Sequence, residues 1–305
     1  MSKDFITLAD WSADELRAIL RRARELKQLH HRGERPQTLE GRSLAMFFEK
    51  PSLRTHVTFE AGMTQLGGHA IWLRSEQVGI GTREAPGDVA ANLSRWVDGI
   101  VARTFSHVLV EELAAVATIP VINGLTDLLH PCQVMADLQT IEEHRPLEEA
   151  LVAYVGDGNN MANSLMLGAA VLGLHLRLAT PESHQPVLRV RKRAEELAAA
   201  SGARIEWSED PAEAVRDADF VYTDVWTSMG QEEEQAMRRE VFQAYQVNAA
   251  LLRHAPKAFV MHCLPAHRGE EITDEVLDGE RSIAFDQAEN RLHAQKAILE
   301  RLLGH

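Results

Sequence analysis

Two α/β domains, each a parallel sheet flanked by helices, with an active site in the cleft between them, are the fold that this sequence predicts. Three observations lead there. The chain has 305 residues, long for a single hydrophobic core. Short apolar runs alternate with helical stretches in two successive series, the rhythm of parallel strands joined by crossover helices. Residues with chemistry to offer fall just after the predicted strands, and open parallel sheets bind ligands outside the carboxyl ends of their strands. The expected division is residues 1–135 and 136–286.

In order, Asp10-Trp11-Ser12 opens a first helix with Leu16, Ile19, Leu20, Ala23 and Leu26 at helical spacing. Leu44–Phe48 is an unbroken apolar run of strand length; Lys50-Pro51 breaks it and Ser52 caps the helix that follows. Ala70–Leu73, Gly99–Arg103 and Pro120–Asn123 read as further strands, separated by helices over Asp88–Trp96 and Val108–Val116. His130-Pro131 opens a helix that runs to about His144, with Pro131 suited to the first helical position. The second series is Leu151–Val155, Leu174–Ala179, Arg204–Trp207, Phe220–Thr223, Phe259–Cys263 and Ser282–Phe285, with a helix over Met161–Leu172 and a last one over about Gln287–Leu303.

Composition narrows the function. Hydrophobic residues make up 45% and charged residues 25% of the chain, as in ordinary globular proteins. No apolar run approaches the ~20 residues of a spanning helix, and Met1-Ser2-Lys3-Asp4 leads into no signal-like apolar core, so the cytoplasm is expected. A net charge of −13 argues against a nucleic-acid surface. The two cysteines, Cys132 and Cys263, fit a reducing compartment. Each has a histidine nearby, yet tight ligand pairs such as C-x-x-C are absent, so no metal site is expected.

The stretch from Phe47 to Glu60 reads as a phosphate seat. A capped helix start directs backbone N–H groups and the positive end of its dipole outward, and Ser52, Arg54 and Thr55 add hydroxyls and a guanidinium. Arg103 and His130 with Gln133 follow later strands of the first series, and Asn159, Asn160, Asp224 and Cys263-Leu264-Pro265 follow strands of the second. The first set suits a phosphorylated ligand with a polarised carbonyl, the second a cationic amino acid. Taken singly, each has a plainer reading: His130 as a structural histidine, Cys263 as a core residue, Asp224 as a cap, and Asn159-Asn160 as turn formers. The run Glu232-Glu233-Glu234 reads as solvated surface, and Met161, Met166 and Met237 as packing.

In combination these residues resemble the ornithine carbamoyltransferases over nearly the whole chain. The Ser-Thr-Arg-Thr motif of that family stands as Ser52-Leu53-Arg54-Thr55, and His-Pro-x-Gln as His130-Pro131-Cys132-Gln133. His-Cys-Leu-Pro is His262-Cys263-Leu264-Pro265, Asp-x-x-x-Ser-Met-Gly runs from Asp224 to Gly230, and Glu-Asn-Arg is Glu289-Asn290-Arg291. Ser228-Met229-Gly230 separates the family from the aspartate carbamoyltransferases.

The resemblance implies transfer of the carbamoyl group of carbamoyl phosphate to L-ornithine, giving L-citrulline on the route of arginine biosynthesis. Residues 1–135 would bind carbamoyl phosphate and residues 136–286 ornithine, with the last helix, about 287–305, packing back on the first domain. Ser52, Leu53 through its backbone N–H, Arg54, Thr55, Arg103 and Arg291 would hold the phosphate. His130 would polarise the carbonyl, and Gln133 with the Leu264 carbonyl would take the carbamoyl NH₂. Asn160, Asp224, Ser228 and Met229 would place ornithine, with Asp224 and Cys263 beside its amine; Arg54, Arg103, His130, Asp224 and Cys263 form the catalytic set. No cofactor is implied, and a homotrimer or an assembly of trimers is, with the loop Glu76–Glu84 meeting a neighbour.

Leu53 and His56 replace a threonine and an arginine usual in the family, and Gly79 a glutamine or histidine, for which Gln77 is the expected substitute. The competing readings are a transferase for putrescine or an N-acylated ornithine, a non-catalytic phosphate or amino-acid sensor, and a nicotinamide dehydrogenase suggested by Gly156-Asp157-Gly158. In the last case Met161 occupies the position of the third glycine of the dinucleotide fingerprint.

Overall fold

An apolar run without polar alternation makes a strand covered on both faces, and the first such run becomes β1, Ser43–Phe48, buried throughout after Ser43. The computed structural model describes residues 4–304, apart from the side chains of Gln77 and Glu232. The chain start and the substitution expected of Gln77 therefore lie outside the described residues.

β2, His69–Arg74, and β3, Gly99–Arg103, pair in parallel with β1, and β4, Val121–Leu125, pairs with β3. The order is β2-β1-β3-β4. The second sheet is also parallel throughout, in the order β7-β6-β5-β8-β9. Its strands are β5, Leu151–Val155, β6, His175–Ala179, β7, Ile205–Ser208, β8, Phe220–Thr223, and β9, Phe259–His262. Helices flank both sheets. Two compact units result: one runs to Gln139 and resumes at Asn290, the other is Thr140–Glu289.

The helix Ala13–His31 begins with a capping box, Ser12 and Glu15 each satisfying a backbone N–H of the other, and it buries the five apolar residues spaced along it. In the first unit Phe47, Ile100, Ala102, Val110 and Leu113 form part of one core cluster; in the second Val155, Val221, Trp226, Phe242 and Val260 belong to another. Full burial of each large side chain contributes about 1.5–3 kcal/mol.

Two expected elements change. Ser282–Phe285 is not a strand: Ser282 makes a single bridge to Val260. Val260 donates to the Arg281 carbonyl and accepts from the Ile283 N–H, after which the helix Ala284–Leu303 begins. The helix expected over Asp88–Trp96 spans Pro86–Leu93, because Pro86 fits the first helical turn. Among the described residues no helix is long and apolar enough to cross a membrane.

Candidate active site

Strand order places the chemistry. In the first sheet the chain builds β2 on one side of β1 and β3 on the other, so the crevice between β1 and β3 is a topological switch point; in the second sheet the switch lies between β5 and β8. Ser52 to Thr55 follow β1 and Arg103 ends β3. Asn159 and Asn160 follow β5, and Asp224 follows β8.

The turn out of β1 is tied down from several sides. The Glu49 N–H donates to the Arg103 carbonyl at 2.9 Å, and a Glu49 carboxylate oxygen accepts the Phe105 N–H at 2.9 Å. Lys50 is buried, pairs with Asp127 and lies 4.3 Å over the Phe105 ring. Ser52, extended, then caps the helix Leu53–Gln65 by accepting the Thr55 N–H at 3.2 Å. The N–H groups of a helix's first turn point out of its N-terminus, toward an anion where one binds. Leu53 is 75% exposed, so its side chain adds nothing to this seat.

On Thr55 two buried arginines converge. Its hydroxyl accepts from Arg291 at 2.9 Å and from Arg103 at 3.4 Å. Arg291 also donates to the Gln133 side-chain oxygen and lies 3.3 Å from Nε2 of His130. A guanidinium only donates, so that nitrogen accepts and the imidazole proton sits on Nδ1. The Gln133 amide donates to Asp137 one helical turn on, at 2.8 Å. Burial first, then the charges of Arg291, Arg103 and Arg54, hold the His130 pKa well below its ordinary value. A neutral imidazole among guanidinium groups can donate to a developing oxyanion without itself titrating.

In the second unit Asp224 is buried and gripped at both oxygens: Asn159 donates to Oδ2 at 2.8 Å and Sγ of Cys263 to Oδ1 at 2.9 Å. Asn159 also caps the helix Asn160–Leu172. Ser228 is held by its N–H bond to the Gln231 side chain at 3.1 Å, whereas Met229 is exposed. The Asn160 carbonyl accepts the Ser164 hydroxyl. Arg238 supports this loop, donating to the Trp226 carbonyl and to Asp157, each at 3.0 Å. Burial pushes the Asp157 carboxyl up to about 7 against the pull of Arg238.

Leu264 adopts a left-handed conformation, φ 56°, and donates its N–H to Nδ1 of His262 at 2.8 Å. Nε2 of His262 meets Glu271 at 2.9 Å. Asp224, His262 and Cys263 offer ligand atoms within 4.8 Å of one another, but both imidazole nitrogens are engaged, and a cation would have to displace one contact. Cys132 is an inert thiol: it is buried, donates to the Asn123 carbonyl, and burial pushes it up to about 12.

Asp137, Arg238, Asp157 and Glu271 are supporting residues that sequence reasoning did not find. The i, i+4 spacing of Gln133 and Asp137 offered a signal; Arg238 and Asp157 are remote in sequence, and Glu271 meets His262 across an irregular turn whose course no periodicity marks.

An anion seat at one switch point and a carboxylate seat for a cation at the other have the chemistry of a transferase with a phosphorylated donor and an amine acceptor. The carbamoyl-P binding domain of the aspartate/ornithine carbamoyltransferases matches residues 3–143 and their Asp/Orn binding domain residues 148–302, and the chain belongs to this family. It is 56% identical over 303 residues to an ornithine carbamoyltransferase of Anoxybacillus flavithermus, covering 99% of this chain and 96% of that one. An ornithine carbamoyltransferase of Pyrococcus furiosus named as anabolic is 50% identical over 304 residues, with 99% and 96% covered. A solved ornithine carbamoyltransferase from the same organism superposes with a TM-score of 0.96 at 49% identity, covering 99% of this chain and 97% of the other.

Proposed function

We propose that the protein transfers the carbamoyl group of carbamoyl phosphate to the side-chain amine of L-ornithine, giving L-citrulline and phosphate. The observation that carries this reading is the convergence of Arg103 and Arg291 on Thr55 beside His130 in one unit, with Asp224 gripped by Asn159 and Cys263 in the other. Full-length likeness to ornithine carbamoyltransferases supports it.

Ser52, Arg54, Thr55, Arg103, Arg291 and the Leu53 N–H take the phosphate. Gln133 and the Leu264 carbonyl take the carbamoyl NH₂. The ornithine amine loses a proton beside Asp224 and Cys263, while Asn160, Ser228 and Met229 hold the rest of the amino acid. The amine nitrogen bonds to the carbonyl carbon, His130 stabilises the oxyanion, and the C–O bond to phosphate breaks with its electron pair leaving on phosphate, which takes up the second proton that the nitrogen sheds. Carbamoyl phosphate is already activated, so this chemistry calls for neither a covalent enzyme intermediate nor an organic cofactor. The enzyme works in the cytoplasm as a homotrimer, and the anabolic relative supports synthesis toward arginine.

The test is product identification with L-ornithine, putrescine, N-acetyl-L-ornithine and L-aspartate as parallel acceptors. Citrulline from ornithine, lost in Arg54→Ala, is expected. Preference for another acceptor overturns the substrate, and no transfer to any overturns the reaction.

A further inference from the structure

Behind the turn that follows β9 lies a buried chain of contacts. Glu271 and His262 are both fully buried. A backbone N–H can only donate, so the Leu264 N–H at 2.8 Å makes Nδ1 of His262 the acceptor. The imidazole proton is thereby placed on Nε2, facing Oε1 of Glu271 at 2.9 Å. The same Oε1 accepts the His267 N–H at 2.6 Å. One carboxylate oxygen thus joins the two ends of the segment His262–His267. The His262 N–H, in turn, is held by Gln287 at 3.0 Å.

This segment contains the one strained residue of the site. A leucine at φ 56° occupies the left-handed region, where a Cβ crowds the following carbonyl. Its side chain packs against the core of this unit and its N–H is held by His262, while Glu271 holds the imidazole in the tautomer and rotation that accept that bond. Cys263, which donates to Asp224 at 2.9 Å, lies between the two bonded residues.

We propose that Glu271 is a positioning residue for the transfer: acting through His262, it fixes the turn that presents the Leu264 carbonyl and Cys263 to the substrates. This rests on the function proposed above. Glu271 touches no reacting atom. It sets where two other groups stand, and displacement of such groups by about 1 Å lowers rates about 100-fold.

The experiment measures kcat and KM for carbamoyl phosphate, per folded molecule, in the full-length protein and its Glu271→Ala, Glu271→Asp, Glu271→Gln, His262→Asn and His262→Asn/Glu271→Ala variants. Glu271→Ala should lower kcat/KM about 100-fold. Glu271→Asp, which keeps the buried carboxylate but retracts its oxygens, should lower it about 10-fold and serves if the alanine variant does not fold. Glu271→Gln keeps an oxygen able to accept both bonds and should recover most of the loss.

Asn at position 262 places Oδ1 where Nδ1 accepts the Leu264 N–H but does not reach Glu271. On that background Glu271→Ala should add no more than about threefold. Wild-type transfer with Glu271→Ala and Glu271→Asp matching it per folded molecule overturns the proposal alone, as do fully additive losses. A wild-type protein that forms no citrulline overturns the functional reading and this proposal with it.

Discussion

His130 shows how a single environment selects a role. Burial and the charges of Arg291, Arg103 and Arg54 hold its pKa well below the ordinary imidazole value, which favours the neutral ring and suits the hydrogen-bond donor of the proposed transfer rather than a titrating base. His130→Gln should lower kcat about 100-fold, the usual cost of one oxyanion donor. The acid limb of the pH–rate profile should stay where it is in the wild type; a limb that moves would assign the titration to His130. Asp157 carries a second residue-scale prediction. Its carboxyl is raised from 3.8 to about 7, so between these values the folded state keeps a proton that the unfolded chain gives up. Its contribution to stability is present below about pH 4, is lost as pH rises toward 7, and is flat above, with a slope of up to about 1.4 kcal/mol per pH unit. Urea unfolding at pH 5 and pH 7 should show the wild type losing stability relative to Asp157→Asn. A gain instead would mean that the Arg238 charge outweighs burial.

At the scale of elements, the ends of strands were legible and their order was not. Apolar runs punctuated by Pro51, Gly156 or Asp224 mark where strands stop, and residues such as Arg54 and His130 could be placed after them from sequence. Which strand ends are neighbours depends on the switch points between β1 and β3 and between β5 and β8, set by long-range pairing that no local pattern encodes. The misread strand at Ser282–Phe285 has the same cause: Ile283 and Phe285 are strand-favouring residues, but β9 offers the segment only one bridging position. Supporting pairs such as Glu271 with His262 were hidden because neither partner's neighbours in sequence reveal the contact. The turn after β5 yields a prediction. A Cβ at Gly158 would stand 2.3 Å from the Pro186 nitrogen and 2.4 Å from the Gln185 carbonyl carbon, both backbone atoms. Gly158→Ala must displace one of the two loops, which should cost about 1–3 kcal/mol in urea unfolding. Because Asn159 is the next residue, it should also raise the ornithine KM more than the carbamoyl-phosphate KM.

For the whole molecule, the exposed face formed by the helix Leu53–Gln65 and β2 calls for an explanation. Parallel strands are ordinarily covered on both faces, yet four of the six residues of β2 are exposed. Val57 is 52%, Ile71 38% and Trp72 42% exposed, beside Leu53. The His56 ring packs 4.3 Å from the Trp72 ring, so helix and strand present one continuous surface. An apolar surface of this kind on a chain with charge −13 fits association with further copies of itself, as the proposed trimer requires. Val57→Asp and Trp72→Asp should therefore convert the trimer to monomers in sedimentation equilibrium while the far-ultraviolet dichroism is retained. Salt separates this from a contact made by charges: it screens repulsion between like-charged copies and leaves apolar burial intact. Added salt should thus shift a variant with weakened association, such as Val57→Ala, back toward trimer. Dissociation by salt would assign the interface to ion pairs elsewhere, and a wild type that sediments as a monomer would remove the trimer altogether.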